Sequence, residues 1–175
     1  MRGEMKKALV LIALVLLITG AAGCGKPVPG ETTQKSDFNF ILKYGITARN
    51  EINTFDGKFT KDMIADPPIT IDLVLSGTEM DNIYQKMLDI DFFNYPEEFK
   101  VIVPEGELIS TVTPYSGYYF TVEYSSKVKE LKWEDEITNP DIKADKLREL
   151  IKLIRDIIES KPEYKALPEP SGGYL

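Results

Sequence analysis

The fold is decided by residues 118–133, which read YYFTVEYSSKVKELKW. From Tyr118 to Tyr124 every second residue is aromatic or β-branched, the period-two pattern of a half-buried strand. A second run, Lys127–Trp133, follows after only Ser125-Ser126. Because so short a link joins antiparallel strands, whereas parallel strands need a long crossover, this stretch predicts a β-hairpin.

The neighbouring segments extend the hairpin into a larger sheet. Ile109–Tyr115 precedes it across Ser116-Gly117 and predicts a third strand, so that the region forms a meander. Alternating apolar residues also predict strands over Phe38–Tyr44 and Ile69–Leu75. Asn50–Met63 contains Asp-Gly between apolar residues, which favours another hairpin.

Two helices are predicted between and after these strands. Ser76 and Glu79 have the spacing of a capping box, and apolar residues at helical spacing follow as far as Ile90. Asn139-Pro140 predicts the start of a second helix, which ends at Lys161-Pro162. The order is strands, helix, strand meander, helix. We therefore expect an α+β fold, a mainly antiparallel sheet with both helices packed on one face.

The N-terminus has the organisation of an export signal. Basic residues near Met1 are followed by an aliphatic run, Ala8–Ile18, and then by small residues and a single cysteine, Ala21-Ala22-Gly23-Cys24. The run is shorter than the roughly 20 apolar residues of a membrane span. The tetrapeptide resembles the lipobox of bacterial lipoproteins, which implies that Cys24 becomes the lipidated first residue. A secreted protein without a lipid is the alternative, and it would leave Cys24 as a free thiol.

These features divide the chain into four parts. We expect a signal peptide at residues 1–23, a flexible tether at 24–37, one domain at 38–160 and an irregular C-terminal tail at 161–175. The lipid on Cys24 would hold the domain to the membrane on its extracytoplasmic side.

A second resemblance covers part of the domain. Asn50-Glu51, Thr60–Met63 and Asp66-Pro67 resemble the corresponding residues of small, uncharacterised lipoproteins of Gram-positive bacteria, over residues 39–95. The resemblance implies a coherent domain in the same location, and it implies no activity.

The composition excludes several classes of function. The chain has no histidine and its one cysteine is Cys24, so cysteine–histidine nucleophiles, thiolate zinc sites and internal disulfides are excluded. No cofactor or metal ligand set is expected. A formal net charge of −7 disfavours nucleic acid as a partner.

No catalytic residue is assigned. Carboxylates are numerous, and a cell-envelope hydrolase using two of them remains an alternative, because spacing in the sequence does not give their separation. Asp89 and Asp91 lack the glycine and distal glutamate of a calcium loop.

Aromatic residues offer the best candidate for a contact surface. If Tyr118, Phe120 and Tyr124 face the core, Tyr119 faces away from it. Tyr115 lies at the adjoining turn, and Phe93 lies in an aromatic loop. Exposed tyrosines are typical of recognition sites, and core packing is the alternative role for these aromatic residues. The lipid anchor, the tether and the lack of a catalytic motif favour a non-enzymatic binding or interaction domain, with an envelope protein or a glycan as partner. An accessory subunit of a membrane complex is a further alternative.

Overall fold

The structure is a computed structural model that describes residues 37–174. The signal peptide, Cys24 and all but the last residue of the tether lie outside the described residues. The strands are β1 (Asn39–Gly45), β2 (Asn50–Asn53), β3 (Lys58–Met63), β4 (Asp66–Asp72), β5 (Glu98–Phe99), β6 (Gly117–Tyr124) and β7 (Lys127–Glu134). The helices are α1 (Gly77–Asp89), α2 (Ile142–Ser160) and the one-turn α3 (Pro162–Lys165). Within this part of the chain, no helix combines the length and apolar character that crossing a bilayer requires.

All strands belong to one sheet, in the order β4-β3-β2-β1-β6-β7-β5. Neighbours are antiparallel except β5, which runs parallel to β7. In the centre, Phe40 lies opposite Val122 and Leu42 lies opposite Phe120. Phe120 also lies opposite Leu131 of β7. Because residues opposite each other share a face, this register puts the large apolar side chains of the central strands on one side of the sheet.

Both long helices cover that face. Buried helical residues complete the core: Met80, Ile83 and Met87 of α1, and Leu147, Leu150, Ile151, Ile154 and Ile158 of α2. The helices are also joined at their surface, where Lys86 Nζ lies 2.6 Å from Glu149. The opposite face carries polar pairs such as Lys58 and Asp72, 2.8 Å apart. The predicted α+β fold is confirmed.

The meander contains two strands, where three were expected. The β6–β7 hairpin forms as predicted, with Ser125 and Ser126 at φ values of 47° and 59°, which suit a tight hairpin turn. The prediction of a strand at Ile109–Tyr115 is wrong, because among the described residues its pairing is limited to one bridge, Thr111 to Ile137. The edge of β6 that a third strand would need is occupied along most of its length by β1.

Two element starts differ from prediction for local reasons. The strand expected from Ile69 begins earlier, at Asp66, because Pro67 and Pro68 lie in the edge strand β4, which tolerates proline. Helix α2 begins after Asp141 and not at Asn139-Pro140, since the Asp141 carboxylate accepts a bond from Ala144 N at 2.8 Å.

The capping box of α1 is confirmed. Ser76 N donates to the Glu79 carboxylate at 2.7 Å, and Glu79 N donates back to Ser76 Oγ at 3.4 Å. The two bonds satisfy amides that a helix start would otherwise leave free, which fixes the first turn beside the end of β4.

Residues 161–174, expected to be an irregular tail, pack against the domain. Helix α3 places the ring of Tyr164 5.5 Å from that of Phe59. Further along, Ser171 forms a parallel bridge with Ile64. The ordered unit therefore continues past Ser160, the end predicted from apolar periodicity.

Candidate functional site

Tyr119 projects from the sheet face that the helices leave uncovered. It lies in β6 between Lys43 of β1 and Lys132 of β7. A Cβ on Gly117 would lie only 3.2 Å from Tyr119 Cε2, so the ring lies back along β6 over the glycine. Lys132 Nζ lies 5.6 Å from the ring centroid, within cation–π range. The expected outward direction of Tyr119 is confirmed, and its ring lies over Gly117 with Lys132 beside it.

The structure brings Tyr119 and Tyr115 together in one groove. The groove has a volume of about 360 Å³, and we call it the tyrosine groove. Its lining consists of Ile46, Thr47, Ala48, Thr113, Pro114, Tyr115, Gly117, Tyr119 and Glu134. None of these residues comes from α1, α2 or residues 161–174, so neither the helices nor the C-terminal segment lines it.

One wall of the tyrosine groove holds strained backbone. Thr47 and Ala48 have φ values of 68° and 51°, in the left-handed region that residues with a Cβ rarely occupy. Such residues cost of order 1 kcal/mol or more each, and they concentrate at ligand-binding sites. A Cβ at Gly117 would lie 3.7 Å from Ala48 Cβ, which shows how closely this loop approaches β6.

The charged end of the groove is formed by Glu134. Lys132 Nζ lies 3.6 Å from Glu134 Oε1, and both side chains are about half exposed. A second cavity of about 360 Å³ shares Glu134, and it is lined by Glu98, Phe99, Lys100, Val101, Lys132, Glu134, Glu136 and Ile137. The two cavities therefore meet at this glutamate. Their linings combine the two tyrosines with carboxylates and ammonium groups, which come from Glu98, Glu134, Glu136, Lys100 and Lys132.

Phe93 does not belong to this surface. Its ring is half-buried, with its centroid 3.9 Å from that of Tyr124 and 5.7 Å from that of Phe92. Since Tyr124 shares the strand face of the buried Phe120, Phe93 lies on the helix-covered side of the sheet. Cys24, the expected lipidation site, lies outside the described residues.

Two exposed carboxyl groups, Asp72 and Glu149, differ from a general acid in the direction in which their pKa values are shifted. Hydrogen bonds from Lys58 and from Lys86 lower the pKa values of Asp72 and Glu149, respectively. A general acid in a glycoside hydrolase needs a raised pKa. Within residues 37–174, no group of three or more acidic side chains is placed to hold a metal ion.

Several residues of the site were not predicted from the sequence. The left-handed conformations of Thr47 and Ala48 have no signature in the sequence, because neither residue type favours them. The place of Glu134 beside Tyr119 depends on the register of β7 against β6, which the sequence does not give. The chain matches no known protein family, no curated protein and no solved structure.

Proposed function

We propose that this chain is a lipoprotein anchored through Cys24 on the extracytoplasmic side of the membrane, and that its domain binds an envelope protein or glycan through the tyrosine groove. The observation that supports the binding role is the pairing of Tyr119 with Tyr115 in a groove that neither α1 nor α2 lines. Tyrosine offers a large contact area with little side-chain entropy to lose, and it is enriched among residues that dominate binding energy.

The test of the binding role is Tyr119→Ala. We expect it to weaken partner binding by about 2 kcal/mol, roughly 30-fold in Kd. The melting temperature should stay nearly unchanged, because the ring lies outside the helix-covered core. Binding is measured by crosslinking in intact membranes, where the yield of the partner adduct is compared between the native chain and the variant.

Tyr118→Ala is the matched control, one residue away on the opposite face. Its ring lies 5.4 Å from that of Trp133, so its loss should lower the melting temperature. If Tyr119→Ala lowers the melting temperature as much as Tyr118→Ala, Tyr119 serves packing. Equal adduct yields from the native chain and a stable Tyr119→Ala variant would remove the groove as the binding site.

The anchor is tested separately by Cys24→Ser. We expect this variant to lose acylation and to leave the membrane fraction, since the described part of the chain has no helix that could hold it there. Fractionation followed by mass determination of the N-terminal peptide measures both effects. A processed Cys24→Ser protein that stays with the membranes would contradict the anchoring role.

A further inference from the structure

Residues 168–174 lie across the end of β3 and the start of β4, and we call them the strap. Lys61 Nζ donates to the backbone oxygen of Pro168 at 2.9 Å. Ala65 N donates to the backbone oxygen of Ser171 at 3.3 Å. At the far end, the Tyr174 hydroxyl donates to the carboxylate of Asp62. The strap is therefore held at its start, its middle and its end.

The strap contacts an unusual pair of charges. Lys61 and Asp62 are adjacent in β3, yet they are only 5% and 6% exposed, and they are the buried charged residues of the described chain. The register between β3 and β4 shifts from Lys61 to Met63, an irregularity that accompanies the burial of two successive side chains. Burying the charges of Lys61 and Asp62 away from water costs free energy. Apolar side chains at these two positions would hold the strap more stably.

Polar contacts make the strap suited to opening. When the strap leaves, water can hydrate Lys61 and Asp62, which offsets much of the lost bonding. The backbone beneath it is also strained, because Ile64 has a φ of 62°, an outlier for a β-branched residue. This conformation brings Ile64 and Ala65 to the main chain of Ser171. Strain of this kind is typical of ligand clamps.

A polar pocket of about 230 Å³ lies between the strap and the domain. The domain contributes Tyr44, Asn50, Lys61, Asp62, Ile64, Arg155, Glu159 and Tyr164, and the strap closes the pocket with Glu169, Pro170 and Tyr174. We propose that this pocket and the adjoining β3–β4 connection are a binding site for a peptide segment of a partner, and that the strap occupies the site until that segment displaces it.

The contacts of the strap specify the peptide that fits. Lys61 Nζ donates a hydrogen bond to a backbone carbonyl of the bound segment. The main chain of Ile64 and Ala65 pairs in parallel with one of its residues. Asp66 accepts a bond from the Ser171 hydroxyl and Asp62 accepts one from a tyrosine hydroxyl. The ligand is thus a peptide with a small hydroxyl residue, a bend at a glycine as at Gly172, and a tyrosine three positions after the hydroxyl residue. Its hydroxyl residue pairs with the β3–β4 connection through the main chain, as in recognition by strand addition. The pocket shares no lining residue with the tyrosine groove, and the two adjoin where Tyr174 interacts with Thr47.

The test uses the full chain and a labelled peptide of residues 166–174, ALPEPSGGY. In the native chain the strap blocks the site, so the apparent affinity is reduced by the small fraction that is open. The full-length double variant Ser171→Ala, Tyr174→Phe weakens the internal strap. We expect it to bind the peptide at least about tenfold more tightly than the native chain does, by fluorescence anisotropy. A peptide carrying Tyr174→Phe, which lacks the donor to Asp62, should bind the double variant more weakly.

Hydrogen exchange on the native chain provides an independent measurement. The amide of Ala65 bonds to the strap, so it should exchange through strap opening, much faster than the amides of Phe40 and Leu42 in β1. Tyr174→Phe should speed exchange at Ala65 and leave β1 unchanged. The proposal is overturned if the double variant binds no more tightly than the native chain, if both peptides bind equally, or if Ala65 exchanges as slowly as β1.

Discussion

At the scale of single residues, Gly117 determines what Tyr119 can do. Because position 117 has no side chain, the Tyr119 ring lies along the strand, where Lys132 flanks it. A ring held in this way loses little freedom on binding, which favours a contact role over a loose surface side chain. Tyr115, 37% exposed, completes the pair from the neighbouring segment.

Glu79 links the start of α1 to the end of α2, and the link predicts a pH dependence. Burial alone would raise the pKa of Glu79, but hydrogen bonds from Lys161 Nζ at 2.6 Å and from Ser76 outweigh it and lower that pKa. A carboxyl with a lowered pKa stabilises the fold above its unfolded pKa, and this stability is lost as the pH falls through the folded value. We expect Glu79→Gln to cost about 1 kcal/mol at pH 7.

Urea denaturation of Glu79→Gln and the native chain at several pH values measures this difference. The cost should shrink as the pH falls below the pKa of an unfolded glutamate, about 4.3, and through the lower pKa of Glu79 in the folded chain. Asp81→Asn, on the same helix outside the capping box, is the control and should cost much less. A cost of Glu79→Gln that is the same at pH 7 and at the lowest pH at which the native chain stays folded would contradict the role of the Glu79 charge.

Sequence patterns predicted the direction of Tyr119 but not its surroundings. Strand alternation is local, so the burial of Phe120 and Val122 sufficed to turn Tyr119 outward. The position of Tyr115 beside it depends on how the irregular segment returns to the sheet, which no local pattern encodes. The burial of Lys61 and Asp62 depends on a shift of register between strands, and charged residues in a strand ordinarily indicate solvent.

At the scale of elements, features that depend on residues close in sequence were predicted correctly, whereas the pairing of the segment before β6 was not. The capping box of α1 and both hairpins formed as predicted because each depends on residues close in sequence. The strand at Ile109–Tyr115 did not form. Ile109 and Val112 are 64% and 42% exposed, since β1 takes the place beside β6 and the segment is left with a single bridge, Thr111 to Ile137.

Helix α2 carries the largest apolar stripe. Because this stripe is buried, a charged substitution in it should lower the stability of the fold strongly. Leu150 and Ile154 are fully buried against the sheet. Leu150→Asp or Ile154→Asp would bury an unpaired carboxylate and should destabilise the fold by about 3–5 kcal/mol, measured by thermal or urea denaturation. Ile142→Asp makes the same chemical change on the same helix at a residue that is 76% exposed, so it should be nearly neutral. If the two variants at buried positions are as stable as Ile142→Asp, α2 does not pack on the sheet.

At the scale of the whole molecule, the fold class followed from the order of elements, whereas the strand order did not. Short links made the sheet antiparallel and left one face for the helices. The central pairing of β1 with β6 joins Phe40 to Val122, far apart in sequence, and apolar alternation alone fits other strand orders equally well. The contribution of residues 161–174 was missed for the same reason, since their partners lie in β3, at the start of β4 and between these strands.

The C-terminal segment should divide into an apolar part that stabilises the fold and a polar strap that does not. Tyr164 packs on Phe59 and Leu167 packs on the core, whereas the strap makes mainly hydrogen bonds to groups that water can replace. We compare chains that begin at residue 37 and end at residue 175, 167 or 160. Loss of the strap alone should cost below about 1 kcal/mol, a shift of less than about 4 °C in melting temperature.

Ending the chain at residue 160 also removes Tyr164 and Leu167. The loss of two partly buried side chains should cost a further 2–3 kcal/mol or so, roughly 5–10 °C. All three chains should still melt cooperatively, because the sheet and the stripe of α2 are complete in each. If ending the chain at residue 167 lowers the melting temperature as far as ending it at residue 160, the strap is a fixed part of the core structure. Its opening would then be too costly to admit a partner, and the binding site under it would lose its support.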